Sequence, residues 1–122
     1  MFRTVLAAAM AAAIFAGSAH AQSADALAAD TRCAMLGLSM AGASTATDEQ
    51  RQAGAMLSLY FVGKMYGRSP GIDLRAAINQ QATSLTADLM QSESRRCGEE
   101  FRTLGQTLSA LGQTQGAPAP TP

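Results

Sequence analysis

The chain has 122 residues, a formal charge of zero at pH 7, one histidine, two cysteines and no tryptophan. Near-neutral charge supplies no basic stripe for neutralising phosphates and argues against nucleic-acid binding. A single domain of this length buries about two-thirds of its unfolded surface, so an added covalent staple would help it.

Residues 1–21 have the layout of a secretory signal peptide. Arg3 gives a positive start, an apolar run follows from Val5 to Gly17, and Ala19-His20-Ala21 offers small residues before Gln22, so cleavage is expected after Ala21. The apolar run is shorter than the roughly 18 to 20 residues that cross a bilayer. Removing 21 of the 122 residues leaves 101, with eight basic and nine acidic side chains because Arg3 departs, and no histidine because His20 departs. The expected address is the periplasm or the exterior.

The expected fold is all-α: a small four-helix domain over residues 22–112, followed by a flexible Pro-rich tail over 113–122. A first helix runs from about Ala24 to Ala41, rich in alanine, and Gly42-Ala43-Ser44-Thr45 ends it. Thr47-Asp48-Glu49-Gln50 fits a capping box and starts a second helix, with two acidic residues where the helix dipole favours them. Along that helix Met56, Tyr60, Gly63 and Gly67 share one face while Ala53, Leu57, Phe61 and Met65 lie beside or across from it. Apolar residues on both sides predict a central helix covered by neighbours, or a surface for a partner. Gly63-x-x-x-Gly67 reads as a packing notch.

Arg68-Ser69-Pro70-Gly71 breaks the chain, and Asp73 is the expected N-cap of a third helix. Leu74, Ile78, Ala82, Leu85 and Leu89 form its buried stripe. Glu93 interrupts that stripe and Gly98 weakens any helix by about 1 kcal/mol relative to alanine. A break is therefore expected between Ser92 and Cys97, with a fourth helix from about Gly98 to Leu111. The tail, GQTQGAPAPTP, carries too little apolar surface to order itself.

Pairing Cys33 with Cys97 is the default for an exported chain. Closing a loop of roughly 64 residues contributes about 4 kcal/mol on the chain-entropy view. The rival reading is two free thiols, with Cys97 reactive beside Arg95 and Arg96. No C-x-x-C pair is present, and two distant cysteines without histidine do not make a zinc site. Glu99-Glu100 and Asp48-Glu49 read as solvated charges near helix starts. No metal or other cofactor is expected. Catalytic Ser-His-Asp and Cys-His sets are missing once His20 is lost, and no phosphate-cradling glycine loop occurs, so no enzyme activity is expected.

Tyr60, Phe61, Lys64, Tyr66 and Arg68 concentrate the aromatic and basic side chains suited to a recognition patch, with ordinary helix core and rim as the alternative. Met35, Met40, Met56, Met65 and Met90 add adaptable apolar surface wherever they are exposed. The expected function is a non-enzymatic protein-binding module of the cell envelope, acting through an apolar and aromatic helix surface. Its partner is another protein or a second copy of itself.

Cys33 in the first helix, the Tyr60-to-Gly67 stretch, the Gly71-Ile72-Asp73-Leu74 turn and Cys97 together resemble the small periplasmic proteins typified by the HdeA acid-stress chaperones. The likeness spans about residues 32–101. It implies a disulfide-held, dimerisation-competent helical fold that opens in acid and holds unfolding clients. Protonating the nine acidic side chains would leave eight basic ones uncompensated, and that self-repulsion favours opening. The sequence shows little sign of an acid-tuned charge cluster. Periplasmic immunity or inhibitor proteins share the same outline.

Overall fold

The computed structural model describes the backbone of residues 9–115 and the side chains of residues 23–115. Four helices follow in order, α1 (Ala9–Gly42), α2 (Asp48–Arg68), α3 (Leu74–Ala82) and α4 (Ala87–Gln115), and no strand occurs among the described residues. The fold is all-α. Of the expected signal peptide, residues 1–8 lie outside the described residues and 9–21 are described only as backbone of α1. The first helix thus begins earlier than the expected Ala24. No helix among the described residues is long and apolar enough to cross a membrane.

The α1–α2 turn is built as its composition demands. Thr47 Oγ1 accepts a hydrogen bond from the Gln50 amide at 3.2 Å, and Gln50 Oε1 accepts from the Thr47 amide at 2.9 Å. This reciprocal capping satisfies two donors that a helix start leaves free. Arg51 then donates to the Ala46 carbonyl at 2.7 Å and closes the turn from α2.

The two helices meet through glycine. A Cβ on Gly37 would lie 2.7 Å from the Gly54 carbonyl oxygen, and one on Gly54 would lie 2.7 Å from the Gly37 carbonyl oxygen. Only hydrogen fits at this crossing, so the backbones approach closely. Gly63 and Gly67, the expected notch, face open space instead. The notch is corrected to Gly37 and Gly54, whose partners four residues on, Ala41 and Ser58, keep the same faces small.

Cys33, Ala34, Leu57, Phe61, Met65 and Cys97 form the core, with Leu27, Leu36, Ile72, Leu74 and Phe101 packed at its edge. Burying a side chain such as Phe61 or Met65 contributes about 1.5–3 kcal/mol. The helix at the centre is α1, which touches α2, α3 and α4. The expectation of a central α2 is corrected: its Leu57, Phe61 and Met65 face is buried, while Met56, Gly63 and Gly67 stay exposed.

Asp73 caps α3 as expected, accepting from the Ala76 amide at 3.0 Å. The break expected at Ser92–Cys97 lies earlier, at Thr83–Thr86, because hydroxyls there take over backbone groups. Thr83 and Ser84 donate to the Gln80 and Gln81 carbonyls, and Thr86 Oγ1 accepts from the Leu89 amide at 3.2 Å as the start of α4. The helix then continues through Gly98, since Glu93 and Cys97 on either side of Arg95 and Arg96 are anchored to α1. It also extends past Leu111 to Gln115, so the first three residues of the expected tail are helical. Residues 116–122 of that tail lie outside the described residues.

Candidate functional site

Two features stand out around the α1–α2–α4 junction. One is polar. Asp30 on α1 is almost fully buried, yet its carboxylate takes Lys64 Nζ at 2.8 Å and Arg68 Nε at 2.7 Å, both from α2. Lys64 continues to Glu100 on α4, which also accepts from the Tyr60 hydroxyl at 3.0 Å. Arg96 approaches Glu100 at 3.6 Å and donates through Nε to Glu93 at 2.8 Å. Arg32 on α1 completes the chain, donating to Glu93 at 3.1 Å and to Gln81 on α3 at 2.9 Å. One ladder of charge joins α1, α2 and α4, neutral Gln81 ties α3 to it through Arg32, and no buried side-chain polar atom among the described residues lacks a partner.

The ladder sets its own protonation. Burial pushes the Lys64 ammonium down, but hydrogen bonds and charge from Asp30 and Glu100 outweigh it and hold the group above its usual value. Hydrogen bonding and charge from Asp30 also raise Arg68. Tyr60 is raised by burial first and by its bond to Glu100 next, which keeps the phenol neutral. Lys64 also lies over the Phe61 ring, 5.0 Å from its centroid.

The ladder meets the disulfide at Arg96 and Glu93. Cys33 and Cys97 are bonded, with Cα atoms 5.5 Å apart, and both are buried. Their sulfurs and a Glu93 oxygen lie within 4.8 Å of one another, the arrangement among the described residues nearest to a metal site. Two sulfurs bonded to each other offer no thiolate, and Arg96 beside them opposes a cation.

The other feature is apolar. Past Phe101, α4 and α2 bound a groove of about 430 Å³ lined by Met56, Leu59, Tyr60, Phe101, Leu104 and Leu108. Leu59 is 72 % exposed and Leu108 58 %, so large apolar side chains face water. Phe101, Leu104, Leu108 and Leu111 recur at three, four and three, the spacing of a helical seam. Gly98, Gly105 and Gly112 recur every seven residues on α4, and a Cβ on any of them would meet open space. No charged side chain occurs from Thr103 to Gln115.

Of the five residues expected to bind a partner, Tyr60, Lys64 and Arg68 lie one turn apart along α2 and share the ladder. Phe61 is fully buried in the core and offers no surface; its ring meets Tyr60 edge-on at 4.8 Å. Tyr66 is exposed. The spacing onward from Cys97 through Phe101, Leu104, Leu108 and Leu111 reads in the sequence as the continuing apolar face of a helix; that it lines an open groove and not core is not legible there. The chain matches no known family model, no curated protein and no solved structure.

Proposed function

We propose that this chain is an exported, non-enzymatic binding module of the cell envelope that receives an amphipathic helix of another protein in the α2–α4 groove. The observation that carries the reading is the groove itself, in which Met56, Leu59, Leu104 and Leu108 leave apolar surface facing solvent. Exposed apolar patches of this kind mark interaction sites. A helix suits it because the seam on α4 has helical period, and the open positions beside Gly98, Gly105 and Gly112 allow close backbone approach. Export is supported by the layout of residues 1–21 and by the disulfide, which persists on the oxidising side of a membrane. The periplasm or the exterior is the proposed address.

The test is capture from an envelope extract with the oxidised chain starting at Gln22. Leu104→Glu with Leu108→Glu is expected to abolish recovery of a partner that the unaltered chain retains at least tenfold above background. Retention by the double variant, with circular dichroism unchanged, would sink the reading.

A second reading, an acid-stress holdase, is favoured by the charge ladder. Asp30 and Glu93 are buried and each meets two cations, so acid that neutralises carboxylates would leave cations facing one another at the helix junction. The expected outcome is suppression of client aggregation at about pH 2–3, where carboxylates are protonated, and none at neutral pH. A folded, inert chain in acid would refute it.

A further inference from the structure

The disulfide lies in an asymmetric field. Arg96 Nη2 is 2.8 Å from Cys33 Sγ and 3.7 Å from Cys97 Sγ. A guanidinium in contact with sulfur favours thiolate over thiol. Glu93 Oε2 lies 4.0 Å from Cys97 Sγ, where a carboxylate opposes a second negative charge, and a Glu93 oxygen is within 4.8 Å of Cys33 Sγ too, so the asymmetry rests on Arg96. The charged groups linked around the bond are Asp30 and Arg32 from α1, Lys64 and Arg68 from α2, and Glu93, Arg96 and Glu100 from α4, with neutral Gln81 from α3. Four cations meet three carboxylates, so one further negative charge would balance the set. Cys97 also lines a largely apolar cavity of about 240 Å³ together with Leu36, Met40 and Leu57.

We propose that Cys33–Cys97 is a thiol-exchange site of fixed polarity, in which the thiolate of a reagent that bears no other charge attacks Cys97 from the apolar cavity and Cys33 leaves as a thiolate held by Arg96. In the first step the incoming thiolate sulfur bonds to Cys97 Sγ as the Cys33–Cys97 bond breaks, and the electron pair passes to Cys33. A lower-pKa leaving sulfur departs faster, so the contact with Arg96 sets which half leaves. In the second step another thiolate takes the incoming sulfur from Cys97, the two reagent sulfurs depart as a disulfide, and the Cys97 sulfur takes a proton from water. The protein gains two electrons and the reagent loses them. A reagent with no charge besides its attacking thiolate fits because the cavity is largely apolar and the Glu93 carboxylate lies 4.0 Å from Cys97 Sγ. This site goes beyond the binding reading and does not depend on it.

Equilibration of the full chain with reduced and oxidised dithiothreitol, followed by acid quench, alkylation and mass measurement, tests the proposal. Arg96→Gln is expected to lower the equilibrium constant for reduction about tenfold, the equivalent of one pKa unit. Glu93→Gln is expected to raise it. A ladder that merely holds the fold would shift both variants toward easier reduction, and that result would overturn the proposal. Cys97→Ser supplies a readout that needs neither ladder variant. Its Cys33 thiolate, followed by ultraviolet absorbance, is expected to titrate at least about one unit below the usual ~8.5. A midpoint at or above the usual value overturns the assignment.

Discussion

Asp30 shows what a single side chain decides in this fold. In the sequence it is one aspartate among alanines; in the structure it is buried between Lys64 and Arg68. Asp30→Ala removes two charge-assisted hydrogen bonds and leaves Lys64 dependent on Glu100, so a loss of about 1.5–3 kcal/mol is expected by urea denaturation at pH 7. The pH dependence follows from Lys64 and Tyr60. Both are held above their usual values, so their contributions are complete below about pH 10 and are lost as pH rises through the folded values. The melting temperature is therefore expected to hold level from about pH 8 to 10 and to fall above that. Lys64→Met is expected to melt lower at pH 8 and to fall less steeply in alkali. An equal alkaline fall in both proteins would remove Lys64 from the account. Nothing in the local sequence announces these pairs, because Asp30 and Lys64 are separated by 34 positions and meet only after α1 and α2 cross.

The elements were legible to different depths. Capping at Thr47 and Asp73 was readable because it rests on contacts three residues apart, which the sequence places together. The crossing at Gly37 and Gly54 was not, since a glycine within a helix looks the same whether its missing Cβ faces a neighbour or water. Gly37→Ala is expected to destabilise by about 1–3 kcal/mol, because backbone and Ser58 must shift to admit the methyl. Gly63→Ala is expected to stabilise by about 0.5–1 kcal/mol, since it adds helix propensity in open space. Paired denaturation curves check both signs, and like signs would misplace the crossing. The α3–α4 break was misread because Glu93 interrupts the apolar stripe and Gly98 weakens an isolated helix, whereas here the disulfide and the Arg32 pair hold that stretch against α1. Tertiary anchoring outweighs a propensity cost of about 1 kcal/mol.

At the scale of the molecule, one bond and one ladder hold α4 to the α1–α2 pair. The small core makes the bond important: Cys33→Ser with Cys97→Ser is expected to cost about 2–4 kcal/mol and to lower the urea midpoint while leaving helix content unchanged in the absence of denaturant. A midpoint equal to that of the oxidised chain would mean that the ladder alone secures α4. Beyond its disulfide, α4 turns apolar surface to water along Leu108 and Leu111, with Leu104 half-buried beside them, and that open face is where binding is proposed. The sequence by itself determined the helical class and the caps that start α2 and α3, and made the pairing of its two cysteines the default, because each follows from short-range chemistry or from simple scarcity. Only the tertiary structure decided which glycines let helices meet, where α3 yields to α4, which aromatic is core, and that Asp30, Glu93 and Glu100 form one ladder. These depend on contacts between residues dozens of positions apart, and the pattern of a single helix records which side is apolar but not what lies against it.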